Sequence, residues 1–252
     1  MSEQQKPSAW QRLFLYLILG DLLIIAIGIA GRMLLDWLPL TSFHLYFYGA
    51  QIALVLAALG LLQLLYGLYK KHASHKSSGA LTVLLGLSPL LLAVFSVGIS
   101  GFKAPVIHDI STDLDNPPIF SITNSLRTAE ENSLEYAGEE IAREQRSAFP
   151  DIQTFLSDIA PAEARQLALE TIEALNWVLI VDDESTGSIE AYDESRVFGF
   201  IDDVVIRIIP NNGGSQIDIR SVSRVGLGAL GANARRIRLF LSTFDGVQSK
   251  AG

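Results

Sequence analysis

Three long apolar runs in the first 103 residues constrain this chain more than any other feature. They cover residues 13–31, 45–69 and 79–101, and each is about long enough to cross a ~30 Å hydrocarbon core as a helix. Aromatic residues lie near their ends, as at membrane–water interfaces. Three such runs in succession favour membrane spans over buried helices of a soluble protein. We therefore predict a transmembrane anchor over residues 1–103 and a soluble domain over residues 104–252.

The flanking positive charges predict how the anchor is oriented. Five basic residues lie on one side of the predicted spans, namely Lys6, Arg12, Lys70, Lys71 and Lys76. Two lie on the other side, Arg32 and Lys103. Cytoplasmic loops are enriched in Lys and Arg. We therefore expect a multi-pass protein of the bacterial inner (plasma) membrane, with a cytoplasmic amino terminus and a periplasmic C-terminal domain.

One acidic residue, Asp21, lies inside the first run. An acid at that depth costs roughly 2.5–3.5 kcal/mol on insertion scales, so it usually faces protein or water. It could serve a proton or ion relay. The alternative is a protonated or hydrogen-bonded Asp that faces Gln51, Gln63 or Ser88 of the neighbouring spans. Because the three runs contain no second charged residue, we favour the structural interpretation.

Charge and composition exclude several classes of function. The first 103 residues carry seven basic and three acidic residues, whereas the remainder carries 12 basic and 24 acidic ones. A domain with this acidic balance does not attract nucleic acid through its overall field. The chain has no cysteine, which excludes disulfides, thiolate metal sites and cysteine nucleophiles.

Periodicity in the second part predicts an α+β domain. A short helix is expected around residues 139–146, a helix with one apolar stripe from Pro161, and a closing helix from about Ala232 to Phe244. Strands are predicted over residues 177–181, 188–192, 197–201, 204–209 and 216–225, with the third and fourth either continuous or separate. The expected architecture is an antiparallel sheet of about four strands with flanking helices.

Five segments of the soluble part carry a family resemblance. They read, in order, "HDISTDLDNPP", "FPDI", "FGFIDDVVIRI", "DIRSVSRVG" and "GANARRIRLFL". Together they resemble the domain-of-unknown-function 1499 family over about residues 105–244. The resemblance implies a membrane-anchored or exported protein and implies no established activity.

Five arginines gather near the carboxyl end of this otherwise acidic domain: Arg220, Arg224, Arg235, Arg236 and Arg238. The first two point to the same side of a strand. The other three occupy the early turns of the closing helix, where positive charge opposes the helix dipole. One interpretation is a surface that binds a phosphate or carboxylate, such as a lipid head group. The alternative, which we favour, is internal pairing with Asp202, Asp203, Asp218 or the acids at 182–184.

The remaining site patterns are incomplete. His108 with Asp109, Asp113 and Asp115 could ligate a divalent metal. Aspartates are also common in turns such as the one before the Pro-Pro pair. The spacing of Asp113 and Asp115 does not continue as in a calcium-binding loop. The glycines of "GLGALGAN" match a dinucleotide pattern without the parallel strand and ribose-binding acid that should follow. We therefore predict no metal, no cofactor and no catalytic residue.

These observations predict a non-enzymatic binding or interaction module of the cell envelope. Its partners would be the lipid bilayer and an anionic ligand or an envelope protein. The alternative is an enzyme that acts on an anionic envelope lipid or polymer held by the five arginines. A carboxylate with a raised pKa in a pocket beside unpaired arginines would favour the enzyme.

Overall fold

The computed structural model describes residues 8–228 and 230–251. Lys6, one of the basic residues used to predict the orientation, lies outside the described residues, as does Ala229 of the glycine-rich loop. The chain divides into two units. The first contains Met1–Gly98 and Arg196–Gly199, and the second contains Ile99–Ser195 and Phe200–Gly252.

The first unit is built from three long helices, which contain the three predicted spans. They are α1 (Ala9–Leu35), α2 (Pro39–Lys70) and α3 (Ala73–Phe102). Each is long and apolar enough to cross a membrane. A capping box at Ser8 and Gln11 begins α1. Gly98 interrupts α3 with a φ of 72°, so the last turn of this helix belongs to the second unit.

Small residues allow the helices of the first unit to approach closely. A Cβ atom on Gly86 of α3 would lie 2.6 Å from the Ala53 carbonyl oxygen of α2, and one on Gly79 would lie 2.7 Å from the Gly60 carbonyl oxygen. Close backbone approach of this kind is the usual basis of helix packing in membranes.

Asp21 is buried in this unit, where its carboxylate approaches Gly49 of α2. Its Oδ2 has no hydrogen-bond partner among the described residues. Two of the polar side chains expected to face it are engaged elsewhere. Gln63 donates to Ser78 at 2.5 Å, and Ser88 donates to the Leu85 carbonyl at 2.7 Å.

The second unit has the predicted α+β class. Within the described residues, six strands form one antiparallel sheet: β1 (Asp109–Ser111), β2 (Phe155–Ser157), β3 (Val178–Asp183), β4 (Ser188–Glu194), β5 (Ile201–Asn211) and β6 (Gly214–Ser223). The strand order is β1-β6-β5-β4-β3, and β2 also pairs with β6. The helices of this unit, besides the end of α3, are α4 (Thr123–Leu126), α5 (Glu139–Ala148), α6 (Pro161–Ala174) and α7 (Ala232–Ala251).

Both faces of the sheet are covered. On the first face, α6 and α7 pack their apolar stripes on strand residues such as Ile206 and Ile219. The Trp177 ring stacks on Phe240 with centroids 5.7 Å apart. On the second face, the segment 112–136 lies over Val205 and Val222. This segment brings polar and charged side chains into a buried layer, so β6 is buried on both sides.

Three local predictions differ from the structure. The strand predicted over residues 197–201 does not form: residues 197–200 lie in a tight loop between β4 and β5, and Ile201 begins β5. In that loop Ser195 N donates to the Phe200 carbonyl at 2.8 Å, and Gly199 adopts a φ of 68°. The three-residue strands β1 and β2 were not predicted. The closing helix continues beyond Phe244 to Ala251.

Candidate functional site

The candidate site is a surface groove of about 530 Å³ in the second unit, within the usual range of ligand pockets. We call it the β1–α5 groove. It is lined by Thr112, Asp113, Leu114, Asp115, Arg146, Phe149, Pro150, Ile152, Gln153 and Thr154. Most of these residues come from the segments "HDISTDLDNPP" and "FPDI". Two of the five segments that carry the family resemblance therefore meet at this groove.

A buried glutamine fixes the wall of the groove. Ser111 N, at the end of β1, donates to Gln145 Oε1 at 3.0 Å, and Gln145 Nε2 donates back to the Ser111 carbonyl at 2.6 Å. The side chain of Gln145 thereby pairs with the backbone of β1 as a neighbouring strand would. The last turn of α5 consequently holds Arg146 and Phe149 beside the residues that follow β1.

Asp218 of β6 lies buried beneath the groove. Its Oδ1 accepts hydrogen bonds from the hydroxyls of Thr112 at 3.1 Å and Thr154 at 2.6 Å. Its Oδ2 accepts from Arg207 Nη2 and Gln216 Nε2, both at 2.8 Å. Burial alone would raise the pKa of Asp218, but the hydrogen bonds from Thr154, Arg207 and Gln216 outweigh it and lower the pKa. Asp218 is thus an ionised carboxylate, both oxygens of which accept two hydrogen bonds, and it positions the two threonines.

The charged residues at the rim of the groove differ in how firmly their partners hold them. Asp113 accepts from Arg207 Nη2 at 2.9 Å and from two backbone N–H groups of its own turn. Arg146 pairs with Asp115 at 3.1 Å and with Glu139 at 2.9 Å. Those two carboxylates are 92% and 69% exposed. Exposed pairs of this kind contribute little to stability, so Arg146 can exchange them for a ligand.

The structure places Arg220 and Arg224 toward the segment 112–136. Arg220 is buried and donates to both carboxylate oxygens of Asp109, at 2.9 and 2.7 Å, and to two backbone carbonyls. Arg224 donates to both oxygens of Asp203, at 3.0 and 2.8 Å. Asp203 also accepts from Arg127 Nε at 2.8 Å. Arg220 therefore joins the covering segment to the sheet, and Arg224 shares Asp203 with Arg127 of that segment.

The other three predicted arginines lie on α7. Arg236 is buried and donates to Asp202 at 2.6 Å and to Asp193 at 2.9 Å. Arg238 donates to both oxygens of Asp151, at 2.5 and 2.7 Å, and lies over the Phe149 ring.

Arg235 is exposed and donates to the Leu230 carbonyl at 2.7 Å, without a carboxylate contact among the described residues. The five arginines thus occupy different environments instead of one common surface. Anion binding by Arg220, Arg224, Arg235, Arg236 and Arg238 stays a prediction. Of the three predicted carboxylate partners, Asp202 binds Arg236 and Asp203 binds Arg224, whereas Asp218 binds Arg207.

The possible metal ligands do not converge. Asp109, Asp113 and Asp115 each bind a different arginine. Across the part of the chain that the structure describes, no three His, Asp or Glu side chains are arranged to hold a metal ion. The spacing of the aspartates instead serves the turn after β1, where Asp113 accepts from the N–H groups of Asp115 and Asn116.

The sequence analysis missed a second buried acid, Glu190 of β4. Its carboxylate accepts hydrogen bonds from the backbone N–H and hydroxyl groups of Ser121 and Thr123 and from the N–H of Ile122, at 2.5–3.2 Å. Burial would raise the pKa of Glu190, but the hydrogen bonds from Ser121 and Thr123 lower it. The signal available in the sequence was an acid between two apolar residues, Ile189 and Ala191, of a predicted strand.

Comparison with known proteins identifies the second unit. The family described as "Protein of unknown function (DUF1499)" matches residues 109–244, more than half of the chain. A search of curated proteins finds no match. The matched range begins at β1 and ends within α7, so it contains the sheet and every residue that lines the β1–α5 groove. The chain therefore belongs to the DUF1499 family, and within it carries three N-terminal helices that are long and apolar enough to span a membrane.

Proposed function

We propose that this protein is a membrane-anchored binding module that holds an anionic ligand in the β1–α5 groove. The proposal depends mainly on the position and the ion pairs of Arg146. Its guanidinium lines the groove, and its two carboxylate partners are largely exposed to solvent. A phosphate or carboxylate that displaces Asp115 from Arg146 gains the forked hydrogen bonds that a guanidinium offers.

The surroundings of Arg146 support a ligand with an apolar part beside its charge. Leu114, Phe149 and Ile152 contribute apolar surface to the groove. Arg238 lies with its guanidinium carbon 5.3 Å from the centroid of the Phe149 ring. Its partner Asp151 is 56% exposed, so Arg238 is a second cation that can exchange its partner for a ligand. Arg220, Arg224 and Arg236 are engaged in buried ion pairs, and we assign them to the support of the domain.

The pKa shifts support binding over acid–base catalysis. Hydrogen bonds from Arg238 lower the pKa of Asp151, and those from Ser185 and Thr186 lower the pKa of Asp183. The pKa values of Glu190 and Asp218 are lowered as well. A general acid at neutral pH needs a raised pKa instead. These four carboxylates are therefore suited to accept hydrogen bonds and not to act as general acids.

Native mass spectrometry of the full chain, released from detergent micelles, tests the proposal. Glycerol 3-phosphate and phosphatidylglycerol serve as anionic probes. We expect a bound probe on the parent protein and on Arg143→Gln, which changes an exposed arginine of α5 outside the groove. We expect it to be lost from Arg146→Gln. A parent protein without bound probe, or equal binding by all three proteins, would contradict the proposal. Chemical conversion of a bound probe would support the enzyme instead.

We also propose that the binding domain faces the periplasm and that the anchor resides in the bacterial inner membrane. The distribution of Lys and Arg around the three helices supports this orientation. Alkaline phosphatase, which is active only outside the cytoplasm, is fused after the last residue. High phosphatase activity is the expected result, and fluorescence of a cytoplasmically folding reporter at the same position would contradict it.

A further inference from the structure

Three aliphatic side chains of the second unit are strongly exposed near the end of α3. Val106 is 70% exposed, Leu227 is 74% exposed and Leu230 is 43% exposed. Leu230 also adopts a φ of 46°, which is an unfavourable conformation for a leucine. We call these three residues the 106/227/230 patch. Single exposed aliphatic residues need no explanation, but a group of them marks an interaction site.

The residues of the patch lie on two chain segments that meet. A Cβ atom on Gly228 would lie 2.9 Å from the Val106 Cα atom, and one on Gly231 would lie 3.3 Å from the Ala104 Cβ atom. The loop after β6 thus rests directly on the segment that follows α3. Gly228 is required for this approach, since a side chain would collide with the backbone of Val106.

The chain itself holds the patch close to the bilayer. Phe102 is the last residue of α3 and precedes Val106 by four residues, a distance of at most about 14 Å in a fully extended chain. The last turn of α3 and the patch belong to the same unit. The chain therefore limits how far Val106 can lie from the end of a helix that is long enough to cross a membrane.

Two basic residues beside the patch, Arg235 and Lys103, pair with no carboxylate among the described residues. The other four arginines of residues 219–244 are each bound to an acid. Arg235 Nη1 donates to the Leu230 carbonyl, and Lys103 directly follows α3. Partial desolvation of the guanidinium, and then the nearby Arg236 and Arg238, lower the pKa of Arg235. A neighbouring anion would offset this effect.

We propose that the 106/227/230 patch docks on the bilayer surface beside the end of α3. Leu227, Leu230 and Val106 enter the interface between head groups and acyl chains, and Arg235 and Lys103 bind the phosphates of anionic lipids. The glycine-rich loop is thus a lipid-binding loop. Docking orients the domain on the membrane, independently of any ligand in the β1–α5 groove.

Site-specific fluorescence on the full chain in lipid nanodiscs tests the proposal. Because the chain has no cysteine, Leu227→Cys introduces a single attachment point for a fluorophore. Leu156→Cys is the matched control, since Leu156 is 64% exposed and pairs with Gln216 toward the opposite end of β6. The nanodiscs contain phosphatidylcholine with or without phosphatidylglycerol, and the quencher is either attached to the lipid or is aqueous iodide. Thermal unfolding shows that both labelled proteins are folded.

The expected result is strong quenching by lipid-attached quencher and protection from iodide at position 227, with the reverse at position 156. Equal access of iodide to both positions would overturn the proposal. In nanodiscs with phosphatidylglycerol, Arg235→Gln should shift the docking equilibrium about fivefold toward the undocked state. Quenching that is the same with and without phosphatidylglycerol, or unchanged by Arg235→Gln, would overturn the assignment of Arg235 to anionic lipid.

Discussion

Single buried carboxylates determine how the segment 112–136 is attached to the sheet. Asp203 is fully buried and holds two arginines, Arg127 from the covering segment and Arg224 from the end of β6. Asp109 holds Arg220 in the same layer. In each case a charge buried without its partner would be strongly destabilising, whereas the intact pair is close to neutral. These ion pairs therefore specify one position for the covering segment more than they add stability.

Removal of Asp203 should be far more damaging than removal of an exposed acid. Asp203→Asn leaves Arg127 and Arg224 without their shared carboxylate, and we expect a loss of about 3–5 kcal/mol in the free energy of unfolding. Asp151→Asn breaks the exposed pair with Arg238 and should cost less than about 1 kcal/mol. Denaturant unfolding of the full chain in detergent, followed by Trp177 fluorescence after Trp10 and Trp37 are replaced by Phe, measures both. Equal losses for the two variants would contradict this ranking.

The buried carboxylates also predict how stability depends on pH. The pKa values of Glu190 and Asp218 are lower in the folded protein than their usual values. Their stabilisation is therefore complete above the unfolded-state pKa of about 4 and is lost as the pH falls below it. We expect the free energy of unfolding to change little between pH 7 and pH 5 and to decrease from about pH 4 to pH 3.

The variant Asp218→Asn checks the origin of that decrease. It removes one of the groups that titrate in this range, so the slope of stability against pH below about pH 4 should be shallower than in the parent protein. The same denaturant series at each pH gives both slopes. A parent protein that is as stable at pH 3 as at pH 5, or a variant with an unchanged slope, would show that these carboxylates do not control acid stability.

At the scale of elements, the sequence could predict what depends on local periodicity. The three apolar helices, α6 and the long strands β4, β5 and β6 each carry a pattern long enough to identify. The strands β1 and β2 have three residues each and exist because they pair with β6. The groove also depends on contacts between residues that are distant in sequence, so local periodicity could not predict it. The partners of Asp113 and Asp115 are Arg207 and Arg146, which lie 94 and 31 residues further along the chain.

The close packing of α2 and α3 predicts that Gly86 does not tolerate even a methyl group. In Gly86→Ala the new Cβ would lie 2.6 Å from the Ala53 carbonyl oxygen, so the two helices must separate. We expect a loss of about 1–3 kcal/mol. The matched control is Gly20→Ala in α1, where a Cβ meets nothing within 4 Å. It should be neutral or slightly stabilising, because Ala favours a helix more than Gly does.

Unfolding of the full chain by SDS in mixed micelles, followed by circular dichroism, measures this difference. If the Gly86→Ala protein is as stable as the Gly20→Ala protein, close packing of α2 and α3 is contradicted. A loss in both variants would instead point to a general requirement for glycine in these helices.

At the scale of the whole molecule, charge is divided between the two parts of the chain. The first 103 residues carry an excess of basic residues, and the rest carries twice as many acidic as basic residues. Inside the sheet domain, Arg127, Arg220, Arg224 and Arg236 pair with buried acids, so most of the acidic excess lies on the surface of the domain. Arg235 and Lys103 are the exception, because neither pairs with a carboxylate among the described residues. A domain of this kind is repelled by an anionic membrane everywhere except at such a basic surface.

The proposed orientation of the whole molecule depends on the loop between α2 and α3. Replacement of Lys70, Lys71 and Lys76 by Gln leaves two basic residues at the amino-terminal flank, Lys6 and Arg12, and two on the opposite side, so the charge difference that sets the orientation disappears. We expect the C-terminal alkaline phosphatase fusion to change from uniformly active to a mixture of active and inactive molecules. Lys103→Gln is the control, because it increases the charge difference between the two sides instead of removing it. This variant should leave the fusion fully active. Full phosphatase activity in the triple variant would mean that features other than these lysines orient the protein.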